Sequence, residues 1–282
     1  MVEVLKTGLY DTIQDLGRYE CQQYGVPYSG VMDRYSASLA NTIVGNDANA
    51  AVIEITMYGP RLKFHSNTVI CITGADMSPS LNSSSIKMNS IITVTAGDVL
   101  HFGTLIYGCR SYLSVFGGFQ TKLVLASRSW YKQVTTSDIL KKGDLVPITE
   151  KAADKTTAFA TVKINKNHFE TQFIDVYKGP EFGLLGHELQ AQLEHLDLSI
   201  SKDSNRMAYQ FNERLPNMMT PIITSLVMPG SVQFTPSGQL IVLMRDSQTT
   251  GGYPRILQCS ESAIDILAQK VFGEKIRFKC ID

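Results

Sequence analysis

The sequence contains no C-x-x-C pair, no run of lysine or arginine, and no apolar stretch longer than a few residues. Each absence excludes a class. Five cysteines, Cys21, Cys71, Cys109, Cys259 and Cys280, are odd in number and widely spaced. They indicate neither a zinc site nor a disulfide framework, so they are expected to be reduced structural thiols. Twenty-six basic residues balance 26 acidic ones, and without a basic stripe nothing tracks a phosphate backbone, so no nucleic acid partner is expected. Apolar runs such as Leu240 to Met244 fall far short of the roughly 20 residues that cross a bilayer. Glu3, Lys6, Asp11 and Asp15 interrupt any signal-peptide core. The expected location is the cytoplasm, without membrane attachment. The histidines form no ligand pattern, His187 and His195 included, and no metal is expected.

Catalytic signatures are missing as well. There is no G-x-x-x-x-G-K-[ST] phosphate loop, no strand-linked G-x-G-x-x-G, no G-x-S-x-G nucleophile elbow and no Met-Lys-Met biotinylation motif. Any ATP or carboxybiotin handled by this chain is therefore expected to involve a partner protein.

What is present reads mostly as short strands. Of 282 residues, 44% are hydrophobic and 18% charged, which suits a core large enough for one big domain or two lobes. Gly97-Asp98 marks a reversal between two β-rich runs at 86–103, and Pro236-Ser237-Gly238 marks a hairpin within 231–244. Thr68 to Thr73 reads as a strand buried on both faces. Helical periodicity appears at Asp33 to Val44, stopped by Gly45, with Tyr35, Leu39, Ile43 and their neighbours on the apolar face. It recurs from about Ser260 to Val271, stopped by Gly273, with Ile264, Leu267 and Ala268 on one side. Many strands and two helices without β-α-β alternation point to β-barrels. The polar stretch 149–161 is the expected connection, giving lobes at 1–155 and 156–282 that are free to interleave.

Four segments concentrate polar chemistry. In TIQDLGR (12–18), Asp15 and Arg18 fit either a pair locking a turn or an arginine facing an anionic substrate. In GVPYSGVMD (25–33), Ser29 or Asp33 fits a helix N-cap, and the helix start offers free N–H groups to an anion. In SNRMAY (204–209), Asn205 and Arg206 fit an oxyanion clamp or a satisfied structural pair. In RDSQTTGGYP (245–254), Asp246, Gln248, Thr249, Thr250 and Tyr253 crowd donors and acceptors beside Gly251 and Gly252. That segment leaves a buried strand, where catalytic groups commonly sit. Asp246 suits a general base, and well-placed donors there would stabilise an oxyanion by about 3–4 kcal/mol each. A polar β-turn fits the same residues.

Together these segments resemble the family of 5-oxoprolinase C subunits, also known as the biotin-dependent carboxyltransferase or allophanate hydrolase subunit 2 family. The likeness extends in order through LANTIVGN (39–46), AAVIEITMYGPRLKF (50–64), YLSVFGG (112–118), SRS (127–129), PGSVQF (229–234), DSQTTGGYP (246–254) and LAQ (267–269). Glu20, Ala126, Ala208 and Thr235 depart from it, the first three standing where glycine is usual and the last where proline is usual. The resemblance implies two cyclophilin-like β-barrel lobes. It implies a complex with the sister B subunit and the A subunit of an oxoprolinase. That complex opens the lactam of 5-oxoproline to L-glutamate, with ATP as co-substrate and no biotin attached to this chain. Asp246, Gln248 and Tyr253 are the expected catalytic residues. Asn205, Arg206, Thr249, Thr250, Gly251, Gly252, Arg18 and Ser29 are the expected substrate contacts. The alternatives are the carboxyltransferase component of a urea carboxylase-like system and a non-catalytic regulator of the sister protein.

Overall fold

A computed structural model describes residues 1–151, 162 and 164–281. The expected lobe boundary at 155/156 and most of the 149–161 connection lie outside them. The chain is mainly β, with 34% strand and 14% helix, and it forms barrel-like lobes as expected. It divides into two units: Met1–Arg18 with Ser29–Asn165, and Tyr19–Tyr28 with Lys166–Asp282. Among the described residues no helix is long and apolar enough to cross a membrane.

The first unit contains a six-stranded and a five-stranded sheet. Val2, Val4, Leu62, Phe64 and Leu100 from one share a core with Ile13, Ile53, Ile55, Ile72 and Leu113 from the other. The strand Thr68–Asp76 runs between Tyr107–Val115 and Ile92–Val94, and its first eight residues are all buried, as its apolar run requires. The Gly97-Asp98 reversal is also present, but the flanking strands Ile92–Val94 and Val99–His101 pair with different partners. The turn is a corner between sheets, not a hairpin.

The helix Arg34–Val44 begins where Asp33 caps it, accepting from Ser36 N at 3.0 Å and Ser36 Oγ at 2.6 Å, and ends at Gly45 with φ 83°. Its buried face is rotated from the expected one, keeping Ile43 partly buried against Val69 and Cys71. Ala37, Ala40, Asn41 and Val44 are buried while Tyr35 is exposed. Small residues let the helix approach the sheet closely, and polar groups join it there. Asn41 Nδ2 donates to Ala50 O at 2.8 Å, Ser114 Oγ donates to Asn41 Oδ1 at 2.6 Å, and Thr73 Oγ1 donates to Ser36 O at 2.7 Å.

The second unit is a seven-stranded sheet running from Leu198–Ser199 through Lys275–Cys280, Phe173–Lys178, Arg255–Cys259, Ser231–Phe234 and Gln239–Leu243 to Ala208–Arg214. An antiparallel bridge between Ile200 and Phe211 joins the two ends, so the sheet nearly closes into a barrel and protects its edges. Phe211 and Phe278 meet edge to face inside, ring centres 5.9 Å apart. The expected 236–238 hairpin joins Ser231–Phe234 to Gln239–Leu243, with Gly238 at φ 80°. The helix Glu261–Leu267 is capped by Ser260 Oγ and buries Ile264 and Leu267. It stops before Val271 because Gln269 N and Lys270 N bond three residues back, tightening the chain. The helix His187–His195 has weak apolar periodicity and is not signalled by the sequence pattern.

One buried carboxyl in the first unit makes stability depend on pH. Asp11 is 2% exposed. Its Oδ2 accepts from Gly8 N at 2.6 Å, and its Oδ1 has no partner among the described residues. Burial raises its pKa from 3.8 to about 7. The folded chain thus holds a proton that the unfolded chain releases near 3.8, so the stability Asp11 contributes is complete below that value and is lost as pH rises toward about 7. Asp11→Asn, which mimics the protonated group, is expected to flatten the fall in unfolding free energy over that window. Urea unfolding of both proteins at several pH values measures it, and parallel curves refute the assignment.

Candidate functional site

Strand register builds the candidate site in the second unit. Ala208 lies opposite Leu243 in an antiparallel pair, so the residues entering one strand must meet those leaving the other. Arg206 and Asp246 do meet. Arg206 Nε donates to Asp246 Oδ2 at 2.8 Å and a terminal guanidinium nitrogen donates to Oδ1 at 3.0 Å, the bidentate fork geometry. The main chains lock the same contact, with Asp246 N donating to Arg206 O at 2.9 Å. Arg206 is 6% and Asp246 5% exposed. Asn205 shapes the turn that presents the arginine. Its Oδ1 accepts from Met207 N at 2.8 Å and its Nδ2 donates to Asp203 O at 3.2 Å.

Beyond this pair the chain rises to the surface. Gln248, Thr250 and Tyr253 are exposed and Thr249 is half-buried. Thr250–Gly251 pairs with Ser225–Leu226, Ile222 N donates to Gly252 O at 2.9 Å, and Val227 N donates to Thr249 O at 3.1 Å. The glycines answer to this packing. A Cβ on Gly251 would lie 2.5 Å from Gln233 Nε2, and one on Gly252 3.1 Å from Ile222 O. Their close approach is thus to the protein's own chain.

Two further arginines flank the loop, Arg245 as the first residue of the 245–254 segment and Arg255 just outside it. Arg245 is buried and reaches Glu261 at 3.0 Å and Asp265 at 3.3 Å, tying the strand end to the helix. The i, i+4 spacing of those acids on a helix is the signal in the sequence that could have found it. Arg255 holds Glu181 through two side-chain bonds of 3.1 and 2.8 Å, which keep that carboxyl below its ordinary pKa. Beside them opens a largely apolar cleft of about 470 Å3, lined by Leu184, Leu185, Met218, Ile222 and Pro254 among others. Met218, Ile223 and Leu226 stand out at 96%, 101% and 72% exposure.

Arg18 and Ser29 belong to the first unit. Arg18 is fully buried, donating to Val124 O at 3.2 Å and to Ser129 O. Asp15 accepts from Ser127 Oγ, Ser129 Oγ and Arg128 N, each at 2.6 Å, and from Gly17 N at 2.9 Å. TIQDLGR therefore braces the SRS segment. It also braces the end of GVPYSGVMD, since Gly30 N donates to Gln14 Oε1 at 3.0 Å and Val31 N donates to Asp15 O at 2.9 Å. Ser29 is buried at φ 54°, and the helix cap falls to Asp33.

Among the described residues no three His, Cys, Asp or Glu side chains gather as metal ligands. No disulfide joins the five cysteines, and burial pushes the Cys71 and Cys259 thiols up to about 12, where thiolate chemistry is suppressed.

A mainly β protein with a nearly closed barrel sheet of this kind has the fold of a carboxyltransferase domain. The family model described as carboxyltransferase domain, subdomain A and B, matches residues 24–280, and the chain belongs to that family. It is 32% identical to the C subunit of the Escherichia coli 5-oxoprolinase over 99% of this chain and 90% of that protein. It is 43% identical to urea amidolyase of Lachancea kluyveri over 51% of this chain and 8% of that one. The solved urea carboxylase of Kluyveromyces lactis superposes with a TM-score of 0.88 at 29% identity, over 100% of this chain and 27% of that chain.

Removing one partner of a buried pair strands the other charge. Arg206→Met or Asp246→Leu alone is therefore expected to cost about 3–5 kcal/mol, and the double variant much less than the sum. Urea unfolding of the four proteins measures the coupling, and additive losses would disprove it. Leu125 and Ala126 form a tight turn at φ 52° and 60°, which L side chains adopt at a cost of roughly 1–2 kcal/mol per residue. Ala126→Gly is expected to stabilise the chain by about 1 kcal/mol, read as a higher unfolding midpoint.

Proposed function

We propose that this chain is the C subunit of an ATP-dependent 5-oxoprolinase, acting with the A and B subunits to hydrolyse the lactam of 5-oxoproline to L-glutamate. The observation that carries the reading is nearly end-to-end similarity to relatives named as 5-oxoprolinase C subunits, joined to a polar loop whose base is fixed by a buried ion pair. ATP phosphorylates the lactam oxygen, releasing ADP. Water then adds to the activated ring carbon and the ring C–N bond breaks, the nitrogen leaving as the amine of a γ-glutamyl phosphate, which a second water hydrolyses to L-glutamate and free phosphate.

In this reading Asp246 orients substrate or receives a proton from the attacking water, using carboxylate lone pairs that Arg206 leaves open. Gln248, Thr249, Thr250 and Tyr253 contact the amide from the exposed part of the loop, with Asn205 and Arg206 balancing anionic groups. An open loop rather than an enclosed cavity supports a site completed by a sister protein. The exposed Met218, Ile223 and Leu226 beside it suit protein docking, since large exposed apolar patches mark interaction surfaces.

A second reading has its own support in the urea amidolyase and urea carboxylase relatives. Here the same loop would accept a carboxyl group for urea or a related amide, with the biotin carrier supplied by another chain. Assay of the complex reconstituted with the A and B subunits separates the two. Wild-type protein is expected to form glutamate from 5-oxoproline only with ATP present. Asp246→Asn, which keeps the shape and an acceptor for Arg206, is expected to lower the rate by about 100-fold while still co-purifying with its partners. An unchanged rate removes Asp246 from the chemistry, and a wild-type complex without turnover favours carboxyl transfer.

A further inference from the structure

The outer face of the six-stranded sheet in the first unit carries a polar rung with no assigned purpose. Leu62 and Leu100 face each other across Arg61–Phe64 and Val99–His101 and are buried. Side chains alternate along strands, so the neighbouring rung points outward. Arg61 lies opposite His101, and His101 lies opposite Ser80 on the next strand. Arg61 and His101 are exposed, and among the described residues neither side chain has a hydrogen-bond or ion-pair partner.

The turn Asn82–Ser83 flanks this rung. Both residues have positive φ, 50° and 69°, a conformation costly for serine, which persists only where surrounding structure enforces it. Three bonds do so. Asn82 N donates to Val99 O at 2.9 Å, Val99 N donates to Asn82 Oδ1 at 2.9 Å, and Asn82 Nδ2 donates to Asp98 Oδ1 at 2.6 Å. The result is a cleft of about 210 Å3 lined by Arg61, Ser80, Asn82, Ser83, Val99 and His101. No carboxylate lines it. Asp98, tied to Asn82, gives its other oxygen to Thr95 N and Oγ1 at 2.8 and 2.9 Å. Lys6 extends the positive charge, being the register partner of Arg61 on the far side.

The geometry points to a binding site for a phosphoryl group, with the Arg61 guanidinium as its principal donor and His101, Ser80 and Ser83 completing the set. An arginine fork matches oxyanion geometry in a way a point charge does not. The cleft is smaller than the roughly 300–1,000 Å3 of drug-sized ligand sites, which selects a small anion. The same chemistry comes from free phosphate or from a small phosphomonoester. The site lies entirely within the first unit and does not depend on the chemistry of the Asp246 loop.

Calorimetric titration of the full chain with inorganic phosphate, glycerol 3-phosphate and acetate tests it at low ionic strength. Saturable phosphate binding is expected, with acetate about tenfold weaker. Tighter binding of glycerol 3-phosphate identifies a phosphomonoester, and equal or weaker binding identifies the free ion. Arg61→Ala is expected to weaken phosphate at least about tenfold, Arg61→Lys and His101→Ala by a smaller factor, and Arg214→Ala in the second unit not at all. The exposed positions leave folding intact, which circular dichroism verifies. Absence of saturation, or affinities of both Arg61 variants and His101→Ala within about twofold of wild type, overturns the proposal.

Discussion

The second unit turns on a requirement of charge. An arginine and an aspartate withdrawn from water each cost several kcal/mol unless they meet in good geometry, and here they meet as a two-bond fork. The contact joins chain positions forty residues apart. It is made by the register of Ala208–Arg214 on Gln239–Leu243 and fixes that register in return, because a one-residue slip would leave both charges buried and unpaired. The loop leaves the sheet from this anchor, and Thr249 to Gly252 are then held by the 222–227 segment.

This relation is partly legible in the sequence. A polar loop leaving the apolar strand at Leu240 to Met244, and an Asn-Arg pair entering another strand, are local signals. Their meeting is not local, since it depends on strand order. The caps show the same division. Asp33, Gly45 and Ser260 can be read from sequence because capping acts within one turn of helix. The centre of the buried face of the Arg34–Val44 helix cannot, because close packing and hydrogen bonds on Asn41 placed small and polar residues there and left Tyr35 exposed, with Ile43 only partly buried against Val44, Val69 and Cys71. Residue types that suggest a ligand prove to have partners within the chain: Arg18 on main-chain carbonyls, Asp15 on the SRS segment, Gly251 against Gln233. A single sequence shows polar residues and glycines but not what they face.

The departures from the family pattern carry physical information of the same kind. Glu20 and Ala126 stand where glycine is usual, and both occupy positive φ, 61° and 60°. The backbone that glycine would permit at no steric cost is kept by residues that must be held in it. Around Ala126 the means are visible. Arg18 draws on the carbonyls of Val124 and Ser129, and Asp15 takes the hydroxyls of Ser127 and Ser129, so both sides of the turn are fixed before its own residues are considered. Loop shape survives the substitution because its neighbours determine it.

The distribution of charge explains why the two proposed sites differ in kind. Arg206, Arg245 and Arg255 each have a carboxylate partner, and Arg18 has backbone acceptors. A ligand arriving at these positions would meet charges already balanced within the chain, so an arginine such as Arg206 would act on it chiefly at a distance, through its field. The groups of the Asp246 loop that remain available are neutral and exposed, which suits recognition of an uncharged amide by several weak donors and acceptors together with surface from another protein. Arg61 and His101 are the opposite case, cationic or chargeable groups without internal partners among the described residues, on an open sheet face. Buried arginines hold this fold together, whereas a partnerless arginine at its surface has its hydrogen-bonding capacity left for something outside the chain.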